Sequence, residues 1–213
     1  MLPHGFVRGD TVVNFQFAAH VLMAAVMTVG DTFQLIPQLR ARVPKLHRWT
    51  GRMFIVMAIT PSLGGLYMVW ISGRYSQLVN ALGISLNAVL IITSGAMAWR
   101  YAVARDFVSH RRWALRTFML ASGVWFMRLG YMAWIMINQG PVGIGQTGDG
   151  PFDTVWQFGS FLLPLLILEI YLRVEQSGTT TARFLTAAAL VVSSVLTGIG
   201  IFGAYMFMWR PLL

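Results

Sequence analysis

The chain has 213 residues, no cysteine, and 11% charged against 56% hydrophobic residues. Soluble domains carry roughly 25% charged residues, so this composition excludes an ordinary soluble domain. The missing thiols exclude disulfides, thiolate catalysis, iron–sulfur clusters and cysteine-based zinc sites. A net charge of +9 would suit nucleic acid, but the arginines sit in short loops between apolar runs and no aromatic-interleaved basic face accompanies them. The charge is therefore a topology signal and nucleic acid is not an expected partner.

The start, MLPHGFVRGD, lacks the apolar core and cleavage site of a signal peptide, so the first apolar segment is expected to be retained. It runs from Thr11 to Pro37 and carries His20, Asp31 and Gln34. His20 and Asp31 lie three helical turns apart on one face. The loop after it holds Arg40, Arg42, Lys45, His47 and Arg48. A second span, 49–72, has Arg52 one turn in and Pro61 near its middle, where a kink is expected. The third, 78–99, contains Asn80, Asn87 and Thr93.

The fourth span, 113–138, is the one the others are expected to organise around. It is entered through His110, Arg111 and Arg112, reaches Arg116 one turn later, and carries Arg128 deep inside. A charge at that depth is costly, so Arg128 is expected to point inward to a polar partner. Five glycines, two prolines, Asp149 and Asp153 mark Gln139 to Thr154 as an ordered external loop. The fifth span, 155–172, holds Pro164 and Glu169; the sixth, 184–209, is small and apolar and suited to lipid or a partner helix.

These runs predict an all-α membrane protein, one polytopic domain over 1–213 with six transmembrane helices, the first five around a polar interior. Arg40, Arg42, Lys45, Arg48, Arg100, Arg105, Arg111, Arg112, Arg173 and Arg183 fall in alternate loops, against Arg8, Arg74 and Arg210 on the other side. That asymmetry predicts cytoplasmic basic loops and both termini outside. A short echo, His47-Arg48-Trp49 with Arg52 against His110-Arg111-Arg112-Trp113 with Arg116, fits an internal duplication.

His20, the stretch QLRARVPKLHRWTGRMF (38–54), SHRRWALRTFMLASGVWFMRLGY (109–131) and FLLPLLILEIYLR (161–173) together resemble the DUF2306 family of predicted bacterial membrane proteins. The resemblance implies a helical protein of the bacterial inner membrane and supplies no substrate.

Depth sorts the polar groups into two layers. His20, Asn87 and Arg128 lie near mid-span, and Asp31, Arg52, Arg116 and Glu169 in the inner half, with His47 and His110 at the inner rim. The carboxylates and guanidiniums can neutralise one another and fix helix register. His47, His110, Arg52, Arg111, Arg112 and Arg116 can also hold an anionic phospholipid or a quinone. His47 and His110 as two axial ligands of haem b are an alternative, and a proton or small-solute relay through His20 and Arg128 is another. No convergent ligand set for a metal ion and no catalytic motif is present. Trp49, Trp99, Trp113, Trp134, Trp156 and Trp209 sit at span ends, as an aromatic belt expects. The resulting expectation is a non-catalytic or accessory protein, such as a subunit of a respiratory or photosynthetic complex contacting other membrane subunits through the sixth helix.

Overall fold

A computed structural model describes residues 36–71 and 77–210, with isolated positions before them. The first span, with His20 and Asp31, lies outside the described residues apart from those positions. All regular structure among the described residues is helical. The chain divides into two compact units, 1–60 and 61–213.

In the first unit α1 (Pro37–Arg42) is followed, after Val43, by the start of α2 (Pro44–Trp70). Proline opens both helices, where the missing N–H costs nothing. Pro61 lies inside α2, where it leaves one backbone carbonyl without its helical donor.

The second unit contains the end of α2, then α3 (Leu78–Val103), α4 (Phe107–Ala121), α5 (Gly123–Asn138), α6 (Pro151–Ser177) and α7 (Thr180–Ala204), closed by a π-helical turn, Tyr205–Trp209. Three of these helices, Leu78–Val103, Pro151–Gln176 and Thr180–Met208, are long and apolar enough to cross a membrane; α4 and α5 together make a fourth candidate, bent by 48°. Expected as one span, this segment is broken at Ser122. A Ser-Gly step is a common cause of a sharp kink. Gly123 also lies so close to α6 that a Cβ there would sit 3.0 Å from Phe161 Cβ.

Small residues set the packing. Ala81, Gly83, Ala88, Ser94, Gly95 and Ala98, with Ile91 among them, are the buried face of α3 and let its backbone approach α4 and α6. Gly200 and Gly203 of α7 lie against Leu129, Met132 and Met136 of α5. Gly200 and Gly203 therefore serve contact within the chain. The other faces of α7 are open: only 11% of its most apolar window is buried, which suits lipid.

The helices outrun the apolar windows. α6 continues through Ser177 and α4 begins at Phe107, because helical hydrogen bonding does not stop where hydrocarbon does. Both extensions carry charge to one end of the second unit.

Candidate functional site

Two tight joints define that end. Between α3 and α4 stand Ala104, Arg105 and Asp106. Asp106 N–H donates to Tyr101 O and Arg105 N–H to Ala102 O, the paired bonds of a Schellman turn, with Arg105 in the left-handed position at φ 59°. Asp106 then caps α4: its Oδ1 accepts from Ser109 N–H at 3.0 Å. Bonds from the Ser109 hydroxyl and amide hold this exposed carboxyl below its usual range. His110 Nδ1 donates to Ala98 O at 2.8 Å. A carbonyl only accepts, so the proton is on Nδ1 and Nε2 is the nitrogen left for other work.

Across from α4, α6 presents two carboxylates. Arg116 donates to Glu169 through Nε at 2.5 Å and Nη2 at 2.9 Å. Arg111 donates to Glu175 through both Nη atoms at 3.0 and 3.1 Å. Both are fork-to-fork pairs, whose planar match fixes orientation as well as distance. The Arg116 guanidinium also lies 4.6 Å from the Trp113 ring centroid, so it is held by a carboxylate and by a π face. Arg112 is within electrostatic reach of both Glu169 and Glu175, and Arg173 of Glu169. Neither forms an ion pair among the described residues. Four guanidiniums thus face two carboxylates.

The other expected residues are placed as follows. His47 is half-buried and Arg52 exposed, both in the first unit, whereas His110, Arg111, Arg112 and Arg116 belong to the second. Asn87 is half-buried, with its Oδ1 atom buried and without a partner among the described residues. Arg128 is exposed and forms no ion pair among the described residues, and the first span, with His20 and Asp31, lies outside them. The inward face of α5 is taken by Gly123, Leu129 and Ala133, and Arg128, about 100° round the helix from Leu129, falls beside it.

A second polar centre was not singled out from the sequence. Asp153, 3% exposed, accepts from Tyr131 Oη at 2.6 Å through Oδ1, and from Gly145 N–H at 2.7 Å and Gly150 N–H at 2.9 Å through Oδ2. Gly143 and Gly148 take positive φ in the loop it ties down. Trp134, Phe152 and Trp156 stack beside it, with centroids 4.5 and 5.9 Å apart, and their indoles donate to Val142 O and Met127 O. Trp134 and Trp156 are thus bonded parts of the fold. The available signal was Asp153 itself, two residues after Pro151, the N3 position from which a carboxylate reaches back to the N–H of the N-cap, Gly150.

Among the described residues, no group of three or more histidine, aspartate or glutamate side chains could hold a metal ion. The family model described as "Predicted membrane protein (DUF2306)" matches residues 17–144, more than half of the chain. The chain belongs to this family. The match includes the α4 arginines and stops short of Glu169 and Glu175. No curated protein and no solved structure matches the chain. With three helices able to cross a membrane and a family of membrane proteins, the chain is a membrane protein.

Proposed function

We propose that this protein is a non-catalytic or accessory membrane protein that holds an anionic phospholipid headgroup at the arginine-rich end of α4 and α6. One observation carries the reading. Arg111 and Arg116 are pinned by Glu175 and Glu169, while Arg112 and Arg173 beside them have no carboxylate partner among the described residues. The pairs fix the two helices, and the unpaired guanidiniums supply donors suited to a phosphate. The arginine distribution among the loops supports a cytoplasmic location for this end, in a bacterial inner membrane, with both termini outside. The exposed faces of α7 leave room for other membrane subunits, such as those of a bioenergetic complex.

The test is lipid retention in nanodiscs containing phosphatidylglycerol and phosphatidylcholine, read by native mass spectrometry. A basic side chain near an anionic surface contributes about 1 kcal/mol, so the double change Arg112→Gln, Arg173→Gln should weaken phosphatidylglycerol retention roughly thirtyfold. Arg128→Gln should leave it unchanged. Equal retention by wild type and double variant refutes the reading, and a co-purifying quinone displaces lipid as the occupant.

A second reading rests on His110. Its Nδ1–H bond to Ala98 O sets the tautomer that leaves Nε2 for a metal, as ligating histidines are usually oriented. This favours haem b with His110 as one ligand. A reduced-minus-oxidised spectrum without haem bands removes it.

A further inference from the structure

One face of α2 changes character along its length. His47 N–H on Val43 O closes the first helical turn, so the residues from Lys45 onward are in helical register. At about 100° per residue, Lys45, Arg48, Trp49, Arg52, Val56 and Thr60 fall within roughly a third of the helix circumference. All six are exposed, Trp49 at 62% and Val56 at 55%. The basic residues occupy the upper part of this face, and no charge follows from Met53 to Trp70. Thr60 belongs to the apolar part, because its hydroxyl donates to Val56 O at 2.9 Å and leaves no unsatisfied donor for hydrocarbon.

The three cations are not compensated locally. Neither aspartate nor glutamate occurs between Asp31 and Asp106, and Lys45, Arg48 and Arg52 form no ion pair among the described residues. The carboxylates of 1–60, Asp10 and Asp31, lie outside the described residues. On α4, by contrast, Glu169 and Glu175 hold two of the arginines. An exposed cationic stripe of this kind attracts anions from outside the chain. Its dimensions narrow the choice. Lys45 to Arg52 covers about 10 Å and Arg52 to Thr60 about 12 Å more, the latter close to the roughly 15 Å of one hydrocarbon leaflet. An acidic protein would meet the cations alone, whereas an anionic amphiphile meets both parts of the face.

We propose that this face of α2 binds anionic phospholipid. The phosphate lies among Lys45, Arg48 and Arg52, whose long side chains reach up to headgroup level. The Trp49 indole sits at the interface, where its apolar ring and polar N–H are both accommodated. The acyl chains run down Val56 and Thr60. None of the residues at the arginine-rich end of α4 and α6 takes part.

The cysteine-free chain permits a direct test, with a fluorophore attached at Val56→Cys so that every cation is kept. Phosphatidylcholine proteoliposomes receive a small, equal fraction of lipid bearing a nitroxide high on its acyl chain, either phosphatidylglycerol or phosphatidylcholine. Labelled phosphatidylglycerol should quench as strongly as about fivefold more labelled phosphatidylcholine, the preference expected from one basic residue at an anionic surface. The same fluorophore at Val195→Cys, 57% exposed on α7, should show no preference. Lys45→Gln, Arg48→Gln and Arg52→Gln together should abolish it at Val56→Cys. Salt at about 1 M, where the Debye length is about 3 Å, should weaken it. Arg112→Gln with Arg173→Gln should leave it intact, which keeps this test apart from that of lipid retention at α4 and α6. Equal quenching by the two lipids overturns the site, and a preference that survives the triple substitution overturns its assignment to these cations. A fluorophore quenched by neither lipid but open to aqueous iodide shows a face turned to water or to a soluble partner, and also overturns it. Thermal unfolding of the triple variant separates a lost preference from misfolding.

Discussion

Arg116 and Glu169 meet across α4 and α6 in a two-pronged ion pair with Trp113 against the guanidinium. One helix turn and a half further out, Arg111 and Glu175 repeat the geometry in more exposed surroundings. The side chains are 19% and 27% exposed in the inner pair and 46% and 39% in the outer. Exposure decides what each contributes. Partial solvation keeps the inner pair below the roughly 3–5 kcal/mol lost when a fully buried pair is broken on one side.

Glu169→Gln should therefore destabilise the protein by about 2 kcal/mol, because Arg116 keeps its charge and loses its partner. Glu175→Gln should cost less than about 1 kcal/mol and should fade with added salt. Thermal unfolding in detergent measures both. Joint replacement by Arg116→Met and Glu169→Leu should recover most of the inner loss, since no lone charge remains. Equal losses at the two glutamates would contradict this ranking.

Asp153 should be the residue on which the 139–150 loop depends. Asp153→Asn turns an acceptor-only group into one that presents N–H to the amides of Gly145 or Gly150, a donor facing donors. A loss of about 2–3 kcal/mol is expected, against about 1 kcal/mol for Tyr131→Phe, which removes a single hydroxyl. Amide hydrogen exchange at Gly145 and Gly150 should accelerate in Asp153→Asn. Unchanged exchange would show that the ring stack, and not the carboxylate, holds the loop.

The Asp106 cap should make the start of α4 pH-dependent. Its folded-state pKa is depressed by the Ser109 bonds. Its contribution is therefore complete above the unfolded value of about 3.9 and lost as pH falls through the lower folded value. Exchange of the Ser109 amide should quicken over that acidic window. Asp106→Asn, which keeps the capping oxygen, should remove the pH dependence without removing the cap.

The class of molecule was legible because hydrocarbon imposes a long-range pattern: apolar runs near membrane length, with arginines between them, can be read without tertiary knowledge. The DUF2306 motifs in 38–54 and 109–131 were readable for a similar reason, since His, Arg and Trp cluster densely there. Partner choice was less accessible. Depth alone allowed Glu169 or Asp31 to meet Arg116 or Arg52, and only the packing of α4 on α6 selects Glu169 for Arg116. Glu175 was passed over because the apolar run ends at Leu172 while the helix does not. Arg128 shows the opposite limit. Depth does not give direction: which way a side chain points depends on the rotation of α5, set by the glycines of α7 pressed against Leu129 and Met132. The break at Ser122 was likewise hidden, because an apolar run has the same composition straight or bent.

The link between α3 and α4 has a consequence for assembly. With only Ala104, Arg105 and Asp106 between them, these two helices give up almost no chain freedom in docking. His110 on Ala98 O sets their register. A non-glycine residue held at positive φ in that link spends conformational energy on a hairpin that is otherwise among the cheapest contacts in the molecule to close.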